Sequence, residues 1–452
     1  MLELHDLTAA QAADRIRGGG VSSVGLCQAL LDRIDPMEPT LKAWVTIDRE
    51  ELLEEARQRD RELGEKGPRG PLHGVPVGLK DIFYTAGMRT TAGSKVYADF
   101  VPDYDATCVA RLKEAGAVVL GKAVTTEFAT GDPSPSRNAW NLAHTPGGSS
   151  SGSAVAVSTR MVAAALGSQT GGSTCRPASY NGIVGLKPSY GRISRYGVVP
   201  VSWSVDTVGI LVRTVEDAAV MLGAMAGHDP NDPGSSSEPV PDYRAALGSL
   251  GEPPRIGLLR EFFLDYCDDE VRRNTEAAAE KLAAAGATVT EVGLPKSFMS
   301  NYAAHGIIQA VDCATFHEEF FRRQPDDYSP KLRATIEMGM MVPAVRYMQA
   351  QRMRRRFAVE IAQVARGFDA LLTPSTPAEA PRDLTTTGDP AFQRPWTSSG
   401  LPTVSLPSGL SANGLPLGVQ LEGAPFDEAH LLAVASWCEK ALDVTLAPPD
   451  SW

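Results

Sequence analysis

The chain has 452 residues, of which 43% are hydrophobic, enough apolar material for a sizeable core. Its formal net charge of −11 argues against binding to a nucleic-acid backbone, because that interaction needs a basic surface. The first residues lack a signal-peptide pattern and no stretch reaches the roughly 20 apolar residues of a membrane span, so we expect a cytoplasmic protein without membrane contact.

The amino-terminal half alternates predicted helices with short apolar strands. A capping box at Thr8 to Gln11 begins the first helix, and helices are also predicted at 23–34 and 48–63. Apolar runs bounded by glycine or proline predict buried strands at 74–79, 116–121 and 161–167. This alternation indicates an α/β fold.

The carboxy-terminal half begins after a surface crossover at 227–254 that is rich in proline, glycine, serine and aspartate. Residues 300–366 are predicted to be mainly helical. The other predicted elements are strands at 255–261, 287–292, 369–377, 401–407 and 415–423, and helices at 269–285 and 427–442. Strands near both ends of the chain predict one sheet assembled from distant segments.

One glycine-rich stretch, from Gly116 to Ala123, nearly spells the phosphate-binding motif GxxxxGK followed by serine or threonine. Position 123 is alanine, so the hydroxyl that would hold magnesium is missing. The intervening residues also form a predicted apolar strand. We therefore interpret this stretch as a buried strand.

A second alternative is the nucleophile elbow of α/β-hydrolases, because residues 148–152 match G-x-S-x-G with Ser150 at the centre. That motif directly follows a strand, whereas a loop is predicted before Gly148. The histidines that would complete a triad all lie in helical patterns: His305, His317 and His430. This motif is therefore the less favoured interpretation.

Two glycine-flanked serines and a lysine give a third interpretation. Ser149 lies in TPGGSSSGSAVAV, Ser173 lies in SQTGGSTCRPA, and Lys80 ends the predicted strand of GVPVGLK. Burial at a strand end disfavours the ammonium form and lowers the pKa of a lysine toward neutrality. A neutral lysine can take a proton from one serine, which takes one from the second, giving a nucleophile without an imidazole.

Together these motifs resemble those of the amidase signature hydrolases. The resemblance covers most of the chain, at 71–87, 90–94, 105–129, 138–158, 167–194 and 400–435. It implies an α/β fold with a large mixed, twisted β-sheet flanked by helices on both faces, in a single domain over 1–452. Within that domain it implies a signature core at 65–225 and a helical insert at 300–366 that covers the active site.

By similarity to the family, Ser173 is the nucleophile, Ser149 is a bridging serine held in a cis peptide, and Lys80 is the base. An acyl-enzyme on Ser173 is the expected intermediate, with no metal and no cofactor. The oxyanion hole is expected from backbone N–H groups of one run: Thr170, Gly171, Gly172 and Ser173.

The nucleophile motif departs from the family at two positions. Many members read GSDTGGSIR, whereas this chain has GSQTGGSTCR. Gln169 therefore replaces an acid, and Arg176 stands one position later than usual. In the family the acid is expected to help hold this loop. Whether Gln169 takes over that role is left undecided by the sequence.

The expected function is hydrolysis of a carboxamide C–N bond. Two alternatives stay open: a carbamate (urethane) hydrolase of the same family, and the glutaminase subunit of a tRNA-dependent amidotransferase complex. That glutaminase usually has a tyrosine-rich segment where this chain has MGMMVPAVRYMQAQ at 338–351. We therefore favour a free-standing hydrolase at this stage.

Apolar side chains of the helical insert are the candidates for substrate binding, above all Met338, Met340 and Met341. They predict a broad apolar pocket for an aryl or bulky apolar amide, with esters as a side activity. We expect a small-molecule amide, carbamate or ester as the only partner, no nucleic acid, and a monomer or homodimer.

Overall fold

In the computed structural model, which describes residues 3–450, one sheet of eleven strands is flanked by helices. This confirms the large mixed α/β sheet expected from the sequence. The strands are β1 (Trp44–Thr46), β2 (Pro76–Lys80), β3 (Val118–Ala123), β4 (Ala164–Gln169), β5 (Val184–Lys187), β6 (Thr207–Val212), β7 (Arg255–Leu258), β8 (Thr288–Glu291), β9 (Ala370–Pro374), β10 (Thr403–Leu410) and β11 (Pro416–Glu422).

The strand order across the sheet is β1-β3-β2-β4-β6-β5-β10-β11-β9-β7-β8. Strand β2 pairs in parallel with both β3 and β4, and β7 pairs in parallel with β8 and β9. The central strands β4, β6, β5, β10 and β11 are joined by antiparallel pairing. Because β5 lies beside β10, distant parts of the chain meet in the middle of one sheet, as the positions of the predicted strands require.

Helices occupy most of the connections between strands. They are α1 (Ala9–Arg17), α2 (Ser23–Leu41), α3 (Arg49–Lys66), α4 (Thr107–Glu114), α5 (Ser151–Ser158), α6 (Cys175–Asn181), α7 (Val215–Met225), α8 (Tyr243–Ala246), α9 (Phe263–Tyr266), α10 (Asp269–Ala284), α11 (Phe298–Arg323), α12 (Pro330–Met341), α13 (Ala344–Ala365), α14 (Arg394–Ser399) and α15 (Glu428–Leu442). The predicted helical segment 300–366 forms α11, α12 and α13, which pack together, and α14 packs against α11 and α13.

Helix α2 is longer than its sequence pattern predicts. A helix ending near 34 is expected because Pro36 and Pro39 follow, and proline removes a backbone donor and crowds the preceding turn. The structure continues the helix to Leu41. Met37 and Leu41 are buried on the same side as Ile34, so packing of this face against the core outweighs the local cost of the prolines.

A second apolar cluster, separate from the main core, supports the end of the sheet near α14. Its centre is Trp396, whose fully buried ring stacks on Phe263 with ring centroids 5.6 Å apart. We expect Trp396→Ala to lower the free energy of unfolding by about 3–5 kcal/mol, because truncation removes apolar contacts and leaves a cavity. Urea denaturation measures this change. Trp203→Ala is the control. Because Trp203 is half exposed, this substitution should lower the free energy of unfolding by less than about 1 kcal/mol.

Candidate active site

The parallel pairing of β2 with β4 places their carboxyl ends at the same edge of the sheet. Leu79 lies opposite Leu166 in this ladder. Lys80, the last residue of β2, therefore lies close to Ser168 and Gln169 at the end of β4. Both strands are buried along their whole length, so every polar side chain at this edge needs a partner inside the protein.

Lys80 is fully buried, and its amine contacts two serine hydroxyls. Nζ donates to Ser149 Oγ at 2.7 Å and to Ser168 Oγ at 2.8 Å. Burial lowers the pKa of Lys80 to about 7, and the negative charge of Asp206 opposes this shift. A substantial share of Lys80 is thus neutral near pH 7, as a general base requires.

Ser149 directly precedes the turn into α5 and is joined to Gly148 by a cis peptide bond. Its Oγ faces Lys80, as described above. The next residue, Ser150, donates from its backbone N–H to the carbonyl of Ser173 at 3.4 Å, so the segments that carry Ser149 and Ser173 lie against each other. The Ser150 hydroxyl is fully buried and contacts the backbone of Ser168, which leaves it no access to substrate as an elbow nucleophile.

Ser173 lies in the loop between β4 and α6, with little solvent exposure, on the wall of a cavity. Within residues 3–450, the backbone N–H groups of Gly171, Gly172 and Ser173 have no hydrogen-bond acceptor. Buried backbone donors are almost always paired. Free donors beside a serine can stabilise the negative oxygen of a tetrahedral intermediate.

Two glycines, Gly172 in this loop and Gly209 in β6, allow the backbone to approach neighbouring side chains closely. A Cβ on Gly172 would lie 2.6 Å from Oε1 of Gln393, and one on Gly209 would lie 2.0 Å from Oγ1 of Thr174. Real Cβ atoms do not approach other atoms this closely. The loop that carries Ser173 therefore packs against Gln393, which directly precedes α14, and against β6.

Gln169 anchors the loop that carries Ser173, which is the role expected of the acid at this position in the family. Its Oε1 accepts hydrogen bonds from the backbone N–H groups of Thr174 and Cys175, both at 3.0 Å. Its Nε2 donates to Oγ1 of Thr397, which in turn donates to the carbonyl of Gly171. An ionised carboxylate could accept the first two bonds but could not donate the third.

We expect Gln169→Leu to lower kcat/KM about tenfold or more, because two buried N–H groups would lose their acceptor and the loop would loosen. Gln169→Glu should retain more activity than Gln169→Leu, since a carboxyl oxygen can still accept from Thr174 and Cys175. Steady-state kinetics on folded variants check this order. Equal activity of Gln169→Leu and the wild type would show that the loop does not depend on this anchor.

The cavity beside Ser173 has a volume of about 240 Å³ and a mainly polar wall. Its lining consists of residues 129–131, 170–173, Arg176, Gln309, 386–388, Pro390 and Arg394. Met338, Met340 and Met341 are not part of this lining; their side chains are 50%, 45% and 76% exposed on α12. The structure does not bring these methionines to the serine: Met338 and Met341 are exposed on α12, and Met340 lines a separate groove beside α11.

The sequence motifs do not single out several residues of the site, although Ser168 begins the stretch SQTGGSTCRPA. Ser168 is the second hydroxyl on Lys80, and Asp206 accepts from Oγ1 of Thr170 at 2.6 Å while burial raises its pKa to about 6. Gln309 and Arg394 reach the cavity from α11 and α14. The one local signal is that Asp206 directly precedes the buried strand β6, where an acid needs a specific partner.

Burial or existing hydrogen bonds argue against the other candidate nucleophiles, bases and phosphate-binding residues. Burial raises the pKa of the Cys175 thiol to about 12, so it is not a thiolate nucleophile. Lys122, in the stretch that resembles a phosphate loop, lies in β3 and donates to the carbonyl of Phe83. Burial lowers the pKa of His305 and of His317 to about 3, and His430 contacts Asp369.

The family model for amidases matches residues 25–432. The chain belongs to the amidase family. This confirms the resemblance to the amidase signature hydrolases and identifies the protein as an enzyme that hydrolyses amide C–N bonds.

Among curated proteins, this amidase is similar to one of the subunits of glutamyl-tRNA(Gln) amidotransferase from Geobacter sp. (strain M21). The two are 38% identical over 471 residues, which cover 96% of this chain and 97% of the relative. The same subunit from Geobacter sulfurreducens is 40% identical over 478 residues, which cover 98% of each chain.

Among solved structures, the amidase is similar to a chain of a vestigial protein complex described in connection with the origins of an s-triazine catabolic enzyme. That match has a TM-score of 0.91 at 31% identity and covers 98% of this chain and all of the other. Peptide amidase from Stenotrophomonas maltophilia matches with a TM-score of 0.87 at 33% identity, covering 99% of both chains.

These comparisons correct the expectation about partners. By name, the curated relatives are subunits of a larger enzyme that acts on a glutamyl-tRNA, and one structural relative belongs to a protein complex. The expectation of a small molecule as the only partner, with no nucleic acid and a monomer or homodimer, is therefore wrong. The relatives favour the amidotransferase-subunit alternative over the free-standing hydrolase that the sequence analysis favoured.

In residues 3–450 no helix is long and apolar enough to cross a membrane.

Proposed function

We propose that this amidase is the amide-hydrolysing component of a multi-subunit amidotransferase, in which it releases ammonia from the side-chain carboxamide of glutamine. The observation that carries the chemistry is the buried contact of Lys80 with Ser149, next to a loop of free N–H donors around Ser173. The similarity to amidotransferase subunits over nearly the whole chain supports the assembly and the acceptor, a glutamyl-tRNA.

The reaction begins with neutral Lys80 accepting the proton of Ser149, while Ser149 accepts the proton of Ser173. Ser173 Oγ attacks the carboxamide carbon, and the N–H groups of Gly171, Gly172 and Ser173 stabilise the resulting oxyanion. The proton held by Lys80 returns through Ser149 to the leaving nitrogen, which departs as ammonia. Water then attacks the acyl-enzyme and regenerates Ser173.

A second candidate function is hydrolysis of a carboxamide without transfer to a tRNA, by the same chain assembled with a different partner. The absence of a tyrosine-rich segment at 338–351 favours it, as does the similarity to peptide amidase and to a chain of the s-triazine-related complex. Carbamate and ester substrates belong to the same candidate, because the same attack on a carbonyl serves them.

The test uses the full-length chain, purified with the proteins that bind it. Ammonia release from glutamine and formation of glutaminyl-tRNA from glutamyl-tRNA(Gln) with ATP are measured beside Ser173→Ala. Loss of both activities in the variant supports the proposal. Ammonia release without tRNA amidation selects the second candidate. Activity that survives Ser173→Ala, or no hydrolysis of any carboxamide, contradicts both.

A further inference from the structure

The proposed proton relay creates a positive charge inside the protein. When Lys80 takes the proton of Ser149, its amine becomes an ammonium ion. Lys80 is fully buried, and the two hydroxyls that it contacts, those of Ser149 and Ser168, are neutral. A buried charge without an opposite charge nearby is strongly destabilising. The ammonium of Lys80 therefore needs a counter-charge, as the imidazolium of a Ser-His-Asp triad does.

The acid that follows Lys80 in the sequence does not supply this counter-charge. The carboxylate of Asp81 accepts hydrogen bonds from the backbone N–H and the hydroxyl of Thr91. The lysine on which Asp81 acts through space is Lys122 of the neighbouring strand β3, and not Lys80. Asp81 is therefore engaged with groups outside the relay.

Asp206 lies at the same edge of the sheet as Lys80. It directly precedes β6, whose first residue, Thr207, is opposite Gln169 at the end of β4. Asp206 and Ser168 line one small cavity of about 30 Å³, and neither lines the cavity beside Ser173. Within residues 3–450, Asp206 is the one charged side chain that acts on Lys80 through space.

Three hydrogen bonds favour the charged form of the Asp206 carboxylate. Its Oδ1 accepts from Oγ1 of Thr170 at 2.6 Å. Its Oδ2 accepts from the backbone N–H groups of Val201 at 2.8 Å and Ser202 at 2.9 Å. Burial raises the pKa of Asp206 to about 6, and these hydrogen bonds oppose that shift. Asp206 is therefore mostly ionised near pH 7, where Lys80 changes its protonation state.

The other ionisable groups near Asp206 do not neutralise it by direct contact. Arg195 acts on it through space but forms an ion pair with Asp232, with Nη2 3.0 Å from Oδ1. Asp312, on α11, accepts hydrogen bonds from two hydroxyl groups. Burial raises the pKa of the Cys313 thiol to about 12, so this thiol is uncharged. The charge of Asp206 is thus free to act on Lys80.

We propose that Asp206 is a positioning residue for amide hydrolysis, which supplies the counter-charge of the ammonium that Lys80 forms when Ser173 is acylated. The inference rests on the proposed role of Lys80 as the base. During acylation Lys80 takes up the proton that leaves Ser173 and then returns it to the leaving nitrogen. Asp206 stays ionised throughout and takes no proton. The acid of a Ser-His-Asp triad has the same role, although there it contacts the base directly.

The kinetic test is Asp206→Asn in the full-length chain with its partners, because asparagine keeps the shape and hydrogen-bonding capacity but removes the charge. Without that charge the ammonium of Lys80 is less stable, so the acid limb of the kcat profile should move to a pH about one unit lower. The weaker base should lower kcat at pH 8 about tenfold. KM should change less than about threefold, since Asp206 does not line the cavity beside Ser173.

Asp217→Asn is the matched control. Asp217 is a buried acid on α7 that accepts from the backbone N–H of Ala10, burial raises its pKa, and it lines neither cavity. This variant should lose stability and keep the acid limb of the wild type. If Asp206→Asn lowers kcat but leaves the acid limb in place, Asp206 only holds the loop of Thr170. That result overturns the counter-charge, while the proposed function still stands.

An NMR titration tests the same charge without turnover. In protein labelled with carbon-13 at the lysine Cε atoms, the Lys80 signal is assigned by its loss in Lys80→Met, and its pH dependence reports the pKa of the amine. This pKa should be about one unit lower in Asp206→Asn than in the wild type and unchanged in Asp217→Asn. Asp206→Ser is a second neutral variant in case asparagine is not tolerated at this position.

The titration separates the inference from the proposed function. If the wild type hydrolyses no amide but the pKa of Lys80 follows the charge at position 206, the proposed function fails and the electrostatic role of Asp206 stands. If the pKa of Lys80 is the same in the wild type and in the folded neutral variants, Asp206 is not the counter-charge, whatever the activity.

Discussion

Replacing Lys80 by methionine is expected to lower kcat/KM for amide hydrolysis by about 10³-fold or more. Methionine has a similar length and keeps the buried apolar contacts, but it has no amine to take a proton from Ser149. The wild-type rate should fall at acid pH with a single ionisation, because burial lowers the pKa of Lys80 to about 7 and only the neutral amine accepts a proton. Steady-state kinetics between pH 5 and 9 measure both effects.

The matched control for Lys80→Met is Lys187→Met. Lys187 is also fully buried at a strand end, and burial lowers its pKa to about 8, but its Nζ donates to the carbonyls of Pro188 and Leu401. Removing it should change stability and leave the ionisation in the rate profile. An unchanged pH profile in Lys80→Met would exclude Lys80 as the base.

The three buried lysines show which properties of a side chain can be predicted from the sequence pattern alone. Lys80 and Lys187 each end a buried strand in the same letters, VGLK, and Lys122 lies near the end of a third. Burial at a strand end therefore predicts a lowered pKa for all three, and the structure agrees. What separates Lys80 is its contact with two serine hydroxyls, which depends on the pairing of β2 with β4. That pairing is a property of the whole sheet.

The positions of the strands were predictable for a simple physical reason. Strands buried on both sides read as short apolar runs between glycines and prolines, and these runs match β2, β3 and β4 within a few residues. The continuation of α2 through Pro36 was not predictable, since it depends on tertiary packing of Met37 and Leu41. Local propensity cannot include contacts made after the chain has folded.

Residues that come to the site from distant parts of the chain could not be predicted from the sequence either. Arg394 lines the cavity beside Ser173, and Thr397 contacts Gln169 and Gly171, both from a segment more than 200 positions away in the chain. The methionines of α12 illustrate the opposite error, because apolar composition predicts a pocket but does not say which face of a helix is buried. Composition predicted the helical segment, but of its residues only Gln309 of α11 lines the cavity, and the rest of the wall comes from other parts of the chain.

Ser149→Ala is expected to lower kcat by about 10²- to 10⁴-fold, because the proposed relay passes the proton of Ser173 to Lys80 through the Ser149 hydroxyl. KM should change little, since Ser149 is buried and does not line the cavity. Single-turnover measurements of acyl-enzyme formation would place the loss in the acylation step. Circular dichroism checks that the variant is folded.

Ser168→Ala is the control that makes this result specific. Ser168 Oγ is 2.8 Å from Nζ of Lys80, nearly the same as the 2.7 Å of Ser149 Oγ, so either variant removes one hydroxyl from the same amine. Only Ser149 is followed by a residue that contacts the backbone of Ser173, so Ser168→Ala should retain activity within about tenfold of the wild type. A larger loss in Ser168→Ala than in Ser149→Ala would mean that the proton leaves Ser173 by the other hydroxyl.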